Sequence, residues 1–129
     1  MQIEVSKVCA IKTRSSATYY IRCNHAIAPV GDDVFAILGK DRLLYVSIDS
    51  EMGKDIAVRV IKGTAWNVTK VKVRKYGKRV AYGIPKKFAE NLGIKQGEYM
   101  LILIDEDKIE IIPLKLLIDK IGKFEEPIL

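Results

Sequence analysis

Cysteine and histidine are scarce in this chain of 129 residues: there are two cysteines, Cys9 and Cys23, and one histidine, His25. A structural zinc site takes four Cys or His ligands, usually in close pairs. The three residues fall short of that set, so Cys23-Asn24-His25 is expected to hold no metal. The thiols read as buried or idle. A disulfide stays open as an alternative, because some hyperthermophile proteins keep them inside the cell, and the richness in Ile and Lys suits such a source. His25 has no Ser, Cys or carboxylate beside it in a recognisable catalytic arrangement. No catalytic residue and no cofactor are therefore expected, and the chain does not read as an enzyme. Long apolar runs are missing too. Nothing approaches the roughly 18 residues a membrane helix needs, and "MQIEVSKVCAIKTR" lacks the charged start, apolar middle and cleavage site of a signal peptide. The expectation is a cytoplasmic protein with no membrane partner.

The most telling absence is of acid. Residues 70–87 contain eight cations (Lys70, Lys72, Arg74, Lys75, Lys78, Arg79, Lys86 and Lys87) and no Asp or Glu. Residues 7–25 are also free of acid and carry Lys7, Lys12 and Arg14. The net charge is +6. A solvated strand face normally mixes signs, and clustered like charge repels itself unless a polyanion uses it. The acids in Asp105-Glu106-Asp107 read as a hairpin turn rather than a metal site.

What is present is period-two alternation, in two rounds. "KVCAIKTRSSATYYIRCNHA" (7–26) laid over "KVKVRKYGKRVAYGIPKKFA" (70–89) matches Lys7, Val8, Lys12, Tyr19, Ile21 and Ala26 to identical residues 63 positions on. "GDDVFAILGKDRLLYVSI" (31–48) matches "GEYMLILIDEDKIEIIPL" (97–114) at an offset of 66. The change of offset suggests a shortened helix in the first copy, and the whole suggests a duplication. In the second copy, "KVKVR" and "VAYGI" alternate around the turn "YGK", so Val71 and Val73 share one face and Lys70, Lys72 and Arg74 the other. Pro85 suits the first position of a short helix, Phe88 and Leu92 its inner face, and Gly93 its left-handed stop. "YMLILI" and "IEIIP" then form a hairpin around the acidic turn. The expected organisation is a degenerate first copy over 1–50, a connector with strand character over 51–65, a second copy over 66–115, and an amphipathic helix or tail over 116–129. The expected class is mostly β with short helices. A unit of about 45 residues is too small to bury a core by itself, so each copy needs a partner.

The segment "VRKYGKRVAYGIPKKFAENLGIKQGEYMLILIDEDKIEIIPL" (73–114), about a third of the chain, resembles the AbrB/MazE swapped-hairpin family of DNA-binding proteins. The resemblance rests on the order of features: cations, an aromatic and a glycine, an alternating strand into Ile-Pro, a helix ending at Leu-Gly-Ile, a glycine turn, and a hydrophobic hairpin around an acidic turn. It implies a small swapped-hairpin β-barrel, closed either by a homodimer or by the two copies within one chain. It also implies a surface for double-stranded DNA, with Arg74 and Lys75 before Gly77 and with Lys78 and Arg79 in the turn that approaches DNA. Two residues depart from the family pattern: Gly83 stands where an Arg or another polar residue is usual, and Lys78 where Asn is common. The first copy, with Arg22 in place of the proline, resembles the family only through the second. The implied function is transcription regulation. A MazE-like antitoxin with a toxin partner, or a protein-interaction module that does not bind DNA, is the alternative. The candidate DNA contacts are Lys70, Lys72, Arg74, Lys75, Lys78, Arg79, Lys86 and Lys87, with Lys12 and Arg14 from the first copy.

Overall fold

The computed structural model describes residues 1–121. Nine strands and three helices follow one another as β1 (Gln2–Lys7), β2 (Cys9–Lys12), β3 (Ala17–Cys23), β4 (Asp33–Leu38), β5 (Leu43–Ser47), α1 (Glu51–Ile61), β6 (Val68–Tyr76), β7 (Arg79–Ile84), α2 (Lys86–Leu92), β8 (Tyr99–Ile104), β9 (Lys108–Pro113) and α3 (Leu114–Ile121). The strands form one antiparallel, nearly closed, barrel-like sheet in the order β1-β8-β9-β5-β4-β6-β7-β3-β2. Its edges approach each other because β1 lies against β3.

The pairing repeats between the two halves of the chain. Strand β1 from the first half pairs with β8 from the second, and β6 from the second pairs with β4 from the first. Two seams join like strands. In β3·β7, Tyr19 faces Ile84 and Ile21 faces Tyr82, while in β5·β9, Leu43 faces Ile111 and Tyr45 faces Ile109. The hairpin β2·β3, with Ala10 opposite Tyr19, has the register of β6·β7, with Val73 opposite Tyr82, at an offset of 63 residues. Hairpins β4·β5 and β8·β9 coincide at an offset of 66, Val34 and Ser47 corresponding to Met100 and Pro113.

The sequence alignment and the structure differ at the start of each half. Val8 donates to the Glu98 carbonyl and accepts from Gly97, while Val73 donates to the Asp32 carbonyl and accepts from Gly31. Val8 thus holds the place of Val73, not that of Val71. The first half absorbs two extra residues at Val8–Cys9, where its leading strand breaks into β1 and β2 while β6 runs unbroken.

Three further expectations are corrected. The connector is a helix, α1, rather than a strand. Ser50 caps it, its hydroxyl accepting from Gly53 N–H at 3.0 Å, and that satisfied first turn favours a helix over the alternation of Ile56, Val58 and Val60. Gly53 and Ile56 turn inward, and Ile56 packs with Phe35 and Val46. Second, no helix forms in the first half where α2 stands in the second. Strand β3 runs on through Arg22 to Cys23, and residues 24–32 form bends and turns. Third, Pro85 is the N-cap of α2 rather than its first helical residue, its carbonyl accepting from Phe88 and Ala89. Phe88 and Leu92 are buried as expected, and Gly93 ends the helix at φ +66°. Helix α3 packs on β8 and β9, with Leu116 against the core. The remainder of the expected C-terminal helix, 122–129, lies outside the described residues.

The core lies between the halves. Tyr45 and Tyr82 are fully buried with ring centroids 5.4 Å apart. Tyr45 donates to the Gly83 carbonyl at 2.7 Å. Tyr82 donates to His25 O at 2.8 Å and accepts from Ile27 N at 3.0 Å. Burial raises the pKa of both phenols. Each hydroxyl therefore links one half of the chain to the other by a bond that would be expensive to leave unmade.

Candidate nucleic-acid interface

The seam β3·β7 joins two hairpins into a four-stranded face, in the order β6-β7-β3-β2. Pleating sends Ile21, Cys23, Tyr82 and Ile84 into the core and leaves their neighbours outside. The outer positions are Ile11 on β2, Thr18, Tyr20 and Arg22 on β3, Arg79, Ala81 and Gly83 on β7, and Arg74 and Tyr76 on β6. The four strands and their two hairpin turns, 13–16 and 77–78, contain nine Lys or Arg and no Asp or Glu. Gly77, at φ +62°, supplies the left-handed conformation that a two-residue hairpin turn needs at its first central position.

The expected cations separate into groups. Arg74, Lys75 and Lys78 on the second hairpin and Lys12 and Arg14 on the first are exposed, and none forms a salt bridge among the described residues. Lys70 and Lys72 share Asp33, which β4 places opposite Lys72, at 3.8 and 3.5 Å. The basic block is therefore partly neutralised by the other half of the chain, contrary to its reading as uncompensated. Arg79 is drawn aside: its guanidinium reaches Glu4 at 3.4 Å, Asn24 at 3.2 Å and the Arg22 carbonyl at 3.5 Å. It braces the seam rather than standing free. Lys86 and Lys87 are exposed at the start of α2, and Lys86 borders a shallow depression with Ser16, Ala17 and Thr18.

Three residues outside the expected set belong to this face. Arg22 lies over the Tyr76 ring at 5.2 Å, and Tyr76 and Tyr20 stack obliquely at 5.4 Å between centroids. The buried Arg22 Nε has no hydrogen-bond partner. The Tyr76 phenol, with partial burial second, pushes the Tyr20 phenol up to about 12. The signal was in "YYIRC": with Ile21 and Cys23 inward, Tyr20 and Arg22 must face out together. Tyr76 forms the floor under Arg22.

Elsewhere the described residues hold no cluster of His, Cys, Asp or Glu able to bind a metal. Cys9 and Cys23 are free, and burial raises the Cys23 thiol. Residues 105–107 form the hairpin turn expected of them, with Asp105 N–H donating to the Lys108 carbonyl. No described helix is long and apolar enough to cross a membrane. No protein-family model matches the chain, and no curated protein matches it either.

Proposed function

We propose that the chain is a DNA-binding transcription regulator of AbrB/MazE-like, swapped-hairpin type, and that the β6-β7-β3-β2 face docks on duplex DNA. One observation carries this reading. Two acid-free hairpins, distant in sequence, are fused edge to edge into a single cationic face within one chain. The pairing of strands between the halves, β1 with β8 and β6 with β4, supports this reading. Lys12, Arg14, Arg74, Lys75 and Lys78 would neutralise phosphates, which position a protein without specifying sequence. Arg22 and Arg74 would be the candidates to reach base edges, where a guanidinium can bind guanine bidentately.

The test is an electrophoretic shift with competitor DNA on wild type, Lys75→Ala/Lys78→Ala and Lys12→Ala/Arg14→Ala. Both variants should bind more weakly at unchanged stability. Wild-type protein that fails to shift any duplex at low salt would refute the reading.

A further inference from the structure

The two halves of the cationic face are not chemically equivalent. The β3·β7 seam relates each outer position to one 63 residues away. Arg74 then corresponds to Ile11, Tyr76 to Thr13, Arg79 to Ser16 and Arg22 to Pro85, while Tyr20 meets Gly83 at the centre of the seam. Every outward aromatic ring and strand arginine thus lies at the centre or between it and the 77–78 turn. The other end offers Ile11, 58% exposed, with Thr13, Ser16 and Thr18. Its cations are Lys12 and Arg14, at and beside the turn, with Lys86 bordering Ser16, Ala17 and Thr18.

Antiparallel pairing also puts the two turns at opposite ends of the face, since Cys23 lies opposite Val80 and Tyr19 opposite Ile84. About seven residues of strand, plus the turns themselves, separate them, a span on the order of 25–30 Å. That approaches the roughly 34 Å of one duplex turn.

We infer that a single chain binds one asymmetric duplex site in a fixed orientation, reading sequence only at the end under Arg22, Tyr76 and Arg74 and gripping phosphates at the end under Lys12 and Arg14. This rests on the DNA reading above and goes further. A symmetric face would select a palindrome, because equal arginines at both ends would ask for equal bases. Here one end has the guanidinium forks and the other has none on its strands. The Arg22 guanidinium is already ordered over Tyr76, so it loses little freedom on meeting a base. Its buried Nε–H lacks a partner in the free protein, and its guanidinium carbon lies 5.2 Å from the centre of the Tyr76 ring on the same face.

The experiment is selection of bound duplexes from a random library, followed by native mass spectrometry of the selected complex. One chain per duplex is expected, with a non-palindromic consensus whose informative positions lie at one end. Scrambling that end should weaken binding by about tenfold or more per disrupted guanine contact, while scrambling the other end should change it less than about threefold. Arg22→Lys and Arg74→Lys keep the charge, so they should flatten the sequence preference and leave the salt dependence unchanged. A palindromic consensus, two chains per duplex, or equal sensitivity at both ends would overturn the inference and leave the DNA reading standing. Failure to select any duplex would overturn both.

Discussion

Removing Lys75 and Lys78 should change how binding responds to salt by a predictable amount. Five cations on the face stand clear of any ion pair among the described residues: Lys12, Arg14, Arg74, Lys75 and Lys78. Lys70 and Lys72 are held by Asp33, Arg79 by Glu4, and Arg22 by the Tyr76 ring. Each phosphate neutralised contributes about −0.9 to the slope of log affinity against log salt, so five give about −4.5. Between about 50 and 200 mM salt, affinity should fall by about 500-fold. Lys75→Ala/Lys78→Ala should reduce the slope to about −2.7. Lys54→Ala/Lys62→Ala alters the same charge at α1 and its C-cap. Helix α1 covers the outside of β4 and β5 instead of the four-stranded face, so this control should leave the slope alone. The assay is fluorescence anisotropy of a labelled duplex across a potassium chloride series. Equal slopes for both double variants would show that net charge alone drives binding and would refute the assignment of the face.

Other predictions follow from particular contacts. Asp33→Asn releases Lys70 and Lys72, and should tighten DNA binding and steepen the salt slope by about 0.9 to 1.8 in the same assay. Arg79→Ala removes the ion-pair partner of Glu4, 17% exposed, and leaves it the Asn24 N–H; urea unfolding should show a loss of about 1–2 kcal/mol, a value discounted for solvent screening, with part recovered in Arg79→Lys. A Cβ at Gly53 would sit 2.1 Å from the Ser47 carbonyl oxygen, so Gly53→Ala should cost about 1–3 kcal/mol by the same measure, despite the better helix propensity of alanine. Burial raises the Tyr45 and Tyr82 phenols above their unfolded value. The stability that this shift represents is present below pH about 10 and is lost as pH rises toward the folded values. Phenolate absorbance should therefore show both rings titrating only as the chain unfolds in alkali.

Much of the sheet was legible in the sequence because one-sided burial imposes alternation. "KVKVR" and "VAYGI" place apolar residues at every second position, "YMLILI" is a continuous apolar run between turns, and strands formed at all three. Residues 56–61 show where this fails. Ile56, Val58 and Val60 alternate as a strand would, yet the Ser50 cap and the close seating of Gly53 on the end of β5 make a helix. A cap is legible only after the boundary has been guessed, and the close seating is tertiary. The break at Val8 was hidden for the same kind of reason, since the two valines share a role only once Gly31 and Gly97 are brought beside them.

The candidate site was legible as charge, not as geometry. Reading the basic run named Arg74, Lys75 and Lys78, but Asp33 and Glu4, which engage its neighbours, lie in another part of the sequence. Arg22 was passed over because it sits in a neutral-looking "YYIRC" rather than in a cationic run. It joins the face only through pairing of β3 with β7, which sets it opposite Ala81 and over Tyr76.

The most direct measurement is amide chemical-shift mapping of isotopically labelled protein titrated with duplex DNA. Perturbations should concentrate in residues 10–22 and 70–83, strongest around Arg22, Arg74 and the 77–78 turn, and α1 should stay unmoved. Shifts centred on α1 or β8–β9, or none at all at low salt, would contradict the account.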